Sequence, residues 1–169
     1  MRHDMRAIVV MGVAGCGKST VAGAVCERTG ARLIEGDVFH PASNVAKMAA
    51  GMPLTDADRQ GWLEQLAGEL AAAWAANERV VLTCSALKQR YRDTLRAAVP
   101  RLGFVYLSLS PEAATARVGS RQGHFMPATL VESQFRDLEP PIGEPDVLVV
   151  DATDALPRIA EDVDAWWRN

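Results

Sequence analysis

Five short runs of aliphatic and β-branched residues punctuate the chain, at Ala7–Met11, Arg32–Glu35, Val80–Cys84, Phe104–Ser108 and Asp146–Val150. They are too short for helices, and the most apolar of them show no polar face, which is how strands covered on both sides in a parallel sheet read. Between them, apolar residues recur at helical spacing and predict helices over residues 18–29, 41–50, 59–77, 87–98, 111–119, 128–138 and 154–168. Gly30, Pro100 and Gly103 stand where helices should stop, and Pro111 stands where one can begin. Strands alternating with helices, with no Pro- or Gly-rich linker, predict one α/β domain over residues 1–169. Its expected core is a five-stranded parallel sheet with helices on both faces.

Composition narrows the partners. The hydrophobic fraction of 49% over 169 residues supplies a core without disulfide or metal support. Lys and Arg number 18 against 21 Asp and Glu, and the resulting net charge of −3 has the wrong sign for a protein that neutralises a nucleic-acid backbone. Cys16, Cys26 and Cys84 are widely separated and lack zinc-ligand spacing, which fits a reducing compartment. The apolar run Ala7–Met11 is too short for a signal core or a membrane span. The expectation is a cytoplasmic protein with neither a nucleic-acid nor a membrane partner.

The first strand runs directly into Gly12-Val13-Ala14-Gly15-Cys16-Gly17-Lys18-Ser19, which matches G-x-x-x-x-G-K-[ST] in the required context, after a strand and at the mouth of a helix. Glycines let the backbone curl with its N–H groups inward, and the helix start adds unpaired N–H groups and a positive dipole end. Lys18 adds a point charge for the β- and γ-phosphates, and Ser19 a hydroxyl for Mg²⁺. Residues 12–20, ending on Thr20, are therefore the expected nucleotide site. The loop leaves a GTPase switch, an ATPase and a kinase open. No Asn-Lys-x-Asp run occurs, which weighs against guanine recognition. Val147–Asp151 imitates the strand whose aspartate holds Mg²⁺ in many such proteins, but at the fifth strand a core strand with a capping Asp explains it better.

The remaining candidates concern an acceptor. Asp37 and His40 follow the second strand, at the sheet edge where ligands of open α/β sheets bind. A carboxylate there can take a proton from an attacking hydroxyl, orient it, or hold Mg²⁺ through water. Arg59, in the first turn of a helix after Pro53, opposes the helix dipole and gains more from a bound anion. Lys88 and Arg92, four residues apart, share a helix face that can meet an anionic acceptor, although Arg92 also suits a solvated face. Arg117 and Arg121 flank a Gly- and Pro-interrupted segment, about 117–127, that suits closure over a transferring phosphoryl group.

Taken together, these segments resemble the gluconokinase family of small P-loop kinases. The resemblance is carried by Met11 to Ser19, Gly36-Asp-Val-Phe-His-Pro41, Asn44 with Lys47-Met48, Gly51 to Arg59 with Trp62, Cys84 to Lys88 with Tyr91-Arg92, Arg121-Gln-Gly-His124-Phe, Gln134-Phe135 and Leu138-Glu-Pro140. It implies a nucleoside-monophosphate-kinase-like P-loop NTPase fold with a lid. It also implies ATP and Mg²⁺ as cofactors, D-gluconate phosphorylated on its 6-hydroxyl, and a homodimer. On that reading Lys18, Arg117 and Arg121 serve the phosphates, Ser19 the metal and Asp37 the acceptor hydroxyl, with Arg59, Lys88, His40, Arg92, His124 and Gln134 around the sugar acid. The rivals are a shikimate-kinase-like enzyme, which would carry a second carboxylate two residues from Asp37 where Glu35 is a partial imitation, and a nucleotide-gated ATPase that needs no acceptor.

Overall fold

The computed structural model describes residues 4–120 and 128–169. Five strands, β1 (Ala7–Met11), β2 (Arg32–Glu35), β3 (Val80–Thr83), β4 (Leu102–Ser108) and β5 (Val147–Asp151), form one sheet in the order β2-β3-β1-β4-β5. Every pairing is parallel. Among the described residues, seven helices cover it: α1 (Lys18–Thr29), α2 (Ala42–Ala49), α3 (Asp56–Ala75), α4 (Gln89–Arg96), α5 (Pro111–Ser120), α6 (Ala128–Asp137) and α7 (Leu156–Arg168). The α/β architecture and all five strands agree with the sequence reading.

Side-chain alternation divides the core. Ile8 and Val10 of β1 face Val21, Ala22 and Val25 of α1 and Ile159, Val163 and Trp167 of α7. Ala7, Val9 and Met11 face Trp62, Leu63, Leu66 and Leu70 of α3 and Tyr91 and Leu95 of α4. All five residues of β1 are buried, so this strand lies at the centre of both cores and its C-terminal end, where the P-loop begins, has a rigid base. Successive strands leave β1 in opposite directions along the sheet, toward β3 and toward β4. The crevice at their carboxyl ends is where α/β sheets bind ligands.

Several helix ends differ from the sequence reading by one to three residues, at the start of α3 for a local reason. Helix α3 begins at Asp56 rather than residue 59, because Thr55 accepts from the Asp58 N–H while the Asp58 carboxylate accepts from the Thr55 N–H, a reciprocal capping box. Residues Gly36–Phe39, which follow β2 and lie outside the helices drawn from the sequence, form one 3-10 turn.

Arg92 is the largest fully buried side chain. Its Nε and Nη2 donate to Glu144 at 2.9 and 2.6 Å, its Nη1 to the carbonyls of Ala86 and Leu87, and its Nη2 also to the carbonyl of Glu139. The guanidinium thus bolts the segment after α6 onto the start of α4. Arg96 donates to the same Glu144 carboxylate at 2.8 Å.

Glu144→Ala should therefore destabilise the protein by about 3–5 kcal/mol in denaturant unfolding, because it leaves a buried cation without its counter-charge. The hydrogen bond from Arg92 holds the Glu144 carboxyl below its ordinary pKa, against the opposing effect of burial. A depressed carboxylate pKa adds stability that is present above the unfolded value and lost as the pH falls through the folded one. The gap between wild type and Glu144→Ala should accordingly narrow below about pH 4; a gap that widens there would contradict the assignment.

Candidate active site

Beyond Met11 the chain curls through Gly12 to Gly17, and Gly17 stands at φ +92° as the N-cap of α1. That left-handed conformation is open to glycine at little cost. No side chain caps this helix and its first turn holds no acidic residue, so its leading N–H groups and positive end are left for an anion. Lys18 arches back over the loop, its Nζ 3.1 and 3.2 Å from the carbonyls of Gly12 and Val13.

Ser19 points at the end of β2, its Oγ donating to Glu35 Oε2 at 3.0 Å, and Thr83 donates to the same oxygen at 2.7 Å. Thr83 Oγ1 also accepts from Gly36 N. A Cβ on Gly36 would lie 2.1 Å from the Thr83 carbonyl oxygen, so only glycine lets the two strand ends come this close. A P-loop hydroxyl beside one carboxylate is a hard-oxygen donor set, and it fits Mg²⁺, which binds through one or two protein oxygens and fills its shell with phosphate and water.

Across the cleft, Asp37 leaves the 3-10 turn with its side chain 84% exposed, while the His40 side chain is only 5% exposed. The imidazole stacks on Trp62 with centroids 4.0 Å apart, and Trp62 Nε1 donates to the Gly36 carbonyl at 2.8 Å. Burial lowers the His40 pKa, opposed by nearby Asp37 and reinforced by Arg59, which favours the neutral ring. Arg59 is 6% exposed and lines the cleft with Lys18, Ser19, Asp37, His40 and Gln134. Its Nη1 donates to Tyr91 Oη at 3.0 Å and to Asp137 Oδ2 at 3.3 Å. Gln134 of α6 accepts from the Ala14 N–H of the P-loop at 2.5 Å.

Other expected site residues lie elsewhere. Arg92 is not a ligand contact: it is wholly buried and saturated by Glu144 and three carbonyls. The shared-face argument for Lys88 and Arg92 fails because Lys88 is the extended N-cap of α4, not a residue of its first turn. Lys88 donates to Asp56, which also accepts from Arg90 and Tyr91. Arg117 reaches the P-loop, but by its carbonyls: Nη1 approaches those of Gly15 and Cys16, and Nη2 donates to that of Ala152 at 2.9 Å. It lines a second hollow beside the loop, with Gly17, Thr20, Leu156 and Ile159. Asp151 ends the edge strand β5 with its carboxylate turned onto Thr153. Arg121 and His124 lie outside the described residues.

Four contributors escaped the sequence reading in whole or in part. Glu35 was legible as a charged residue ending an otherwise aliphatic strand beside the P-loop. Tyr91 and Asp137 gave no local signal of their roles, since each works through a partner distant along the chain, and Asn44 gave none because nothing in the sequence marks its side chain as buried against His40 and the Asp58 carbonyl.

With this geometry in place, the similarities to known proteins are specific. Residues 8–141 match the family model described as an AAA domain. The thermoresistant gluconokinase of Escherichia coli (strain K12) is 43% identical over 155 residues, covering 91% of this chain and 89% of its own. A gluconokinase from Sinorhizobium meliloti 1021 superposes with a TM-score of 0.88 at 43% identity, over 99% of this chain and 94% of that one. An unliganded sugar kinase from Janibacter sp. HTCC2649 superposes at 0.93 with 40% identity, over 97% and 95%. Two-sided coverage at this identity, together with the P-loop and the facing Asp37–His40–Arg59 cleft, shows that the chain belongs to the gluconokinase family of P-loop kinases.

Proposed function

We propose that the protein transfers the γ-phosphoryl group of ATP to the 6-hydroxyl of D-gluconate, with Mg²⁺, as a cytoplasmic homodimer. The observation that carries the acceptor is Arg59: a nearly buried cation in a cleft wall, facing the P-loop side and next to an exposed carboxylate. Such a charge reads an anionic acceptor. Relatives named gluconokinase support the particular acid. The dimer and the lid over about 117–127, with Arg121 and His124 on phosphate and acceptor, rest on the family resemblance. The compartment rests on the free cysteines, together with the finding that, among the described residues, no helix is long and apolar enough to cross a membrane.

Phosphoryl transfer is mostly positioning and charge stabilisation. The N–H groups of residues 12–20 and the Lys18 ammonium cradle the phosphates, and Arg117 braces the loop from behind. Ser19 and Glu35 would hold the metal, which when bound neutralises charge on the β- and γ-phosphates. Asp37 takes the proton of the attacking hydroxyl, His40 and Arg59 orient the acid, and Gln134 ties α6 to the loop. A shikimate-like acceptor is disfavoured because Glu35, the required second carboxylate, is engaged by Ser19 and Thr83. The decisive assay is ADP release over a panel of gluconate, glucose, shikimate and nucleoside monophosphates: gluconate-dependent release is expected, and acceptor-independent release would mean an ATPase.

Lys18→Ala should lower kcat by about 10²–10³ with the melting temperature unchanged, since an oriented charge on the transferring group is worth about 3–4 kcal/mol. Retained turnover would remove the P-loop assignment.

Glu35 and Asp37 should separate kinetically. Glu35→Gln should raise the Mg²⁺ concentration needed for half-maximal rate, whereas Asp37→Asn should depress kcat at unchanged ATP affinity. The reverse pattern would exchange their roles.

Neutral glucose should be at least about tenfold poorer than gluconate, as a lost charge-assisted contact costs about 1.5–3 kcal/mol. Arg59→Met should damage gluconate turnover more than glucose turnover and narrow that ratio. Equal losses would place carboxylate recognition elsewhere.

A further inference from the structure

Asn44 is 2% exposed, a polar side chain in the first turn of α2 with no contact to the P-loop among its hydrogen bonds. One of its amide atoms lies 2.9 Å from the main-chain carbonyl of Asp58. A carbonyl only accepts, so that amide atom is the nitrogen, and the orientation of the group is settled by the network. The same nitrogen lies 3.2 Å from Nδ1 of His40. An NH₂ group only donates, so Nδ1 must present its lone pair, and the neutral ring then carries its proton on Nε2. An imidazolium would set two donors against each other at Nδ1. The charged groups facing the ring are Asp37 from the 3-10 turn and Arg59 from α3.

His40 Nε2 is 3.9 Å from Asp37 Oδ1, too far for a hydrogen bond. A hydroxyl oxygen placed about 2.8 Å from each atom bridges that gap. It must accept from Nε2–H, and its own hydrogen then turns to the carboxylate, which can only accept.

We propose that Asn44 is a positioning residue that fixes His40 as an obligate Nε2–H donor, so that the acceptor site takes a hydroxyl whose proton is already directed at Asp37. The substrate feature being read is a hydroxyl of a polyhydroxy acid, and the polarity of its hydrogen bonds is set from α2, one residue behind the ring. The inference rests on the reading of Asp37 and His40 as acceptor-site residues given above.

The tautomer is measurable without substrate. The chain has 3 histidines, so ¹⁵N-histidine long-range correlation spectra near pH 7.5 contain three ring patterns, and His40→Gln identifies that of His40 by its loss. A pyrrole-type Nε2 and a pyridine-type Nδ1 are expected in the free wild-type protein; a proton on Nδ1 overturns the proposal, and this holds even if every Asn44 variant fails to fold. In Asn44→Asp the new carboxylate accepts from Nδ1, so the Nε2-protonated neutral form should vanish from the spectrum and the KM for gluconate should rise about tenfold, with the KM for ATP within about twofold. An unchanged gluconate KM in Asn44→Asp alongside a raised one in His40→Gln overturns the positioning role and leaves the proposed function standing. An unchanged gluconate KM in His40→Gln removes His40 from the acceptor site, and the inference falls with that reading.

Discussion

The end of β2 and the end of β3 are joined through one hydroxyl. Thr83 Oγ1 accepts from Gly36 N and donates to Glu35, at a junction so close that no side chain fits at residue 36. From this point the two halves of the site diverge. Glu35 turns toward Ser19 and the phosphate loop, while the Gly36 carbonyl holds Trp62, on which His40 stacks. The separation between the proposed phosphate and acceptor sites is thereby set by a backbone contact, not by flexible side chains, and transfer chemistry depends on such positioning.

Two buried arginines illustrate how the same residue type serves fold or function. Arg92 has its charge matched by Glu144 and its donors directed at backbone carbonyls; it is a cross-link between α4 and the segment following α6. Arg59 has comparable burial and an ion pair with Asp137 at 3.3 Å, but its Nη1 makes that bond and the one to Tyr91, and it forms part of a cleft wall. Burial of a charge is costly in either setting. In the first it is offset within the fold, and in the second a bound carboxylate can complete the compensation.

Much of the architecture was legible because the strands are apolar on both faces and the intervening helices are amphipathic; that pattern alone fixes a covered parallel sheet. The P-loop was legible because its chemistry is local in sequence. The side of each helix a cation would occupy was not. Lys88 and Arg92 obey helical spacing on paper, yet the helix starts one residue later than that spacing assumes, and a capping residue does not share the helical face. The sequence reading makes Arg117 a phosphate contact, whereas its guanidinium meets the carbonyls of Gly15 and Cys16; periodicity carries no information on which of the two a guanidinium meets. Asp137 acts on a residue far away along the chain, and Asn44 joins His40, four residues before it, to the Asp58 carbonyl of the next helix; such pairings become visible only once the helices are packed.

Helix α1 begins on a glycine with no side-chain cap. Its first turn lacks the side-chain cap that Ser, Thr, Asp or Asn provides at many helix starts, and a bound phosphate would supply that interaction. Ligand that binds only the native state adds stability in proportion to RT ln(1 + [L]/Kd). On the proposed reading, nucleotide binding would therefore add to the protein's resistance to unfolding, and that contribution would fall as free nucleotide becomes scarce.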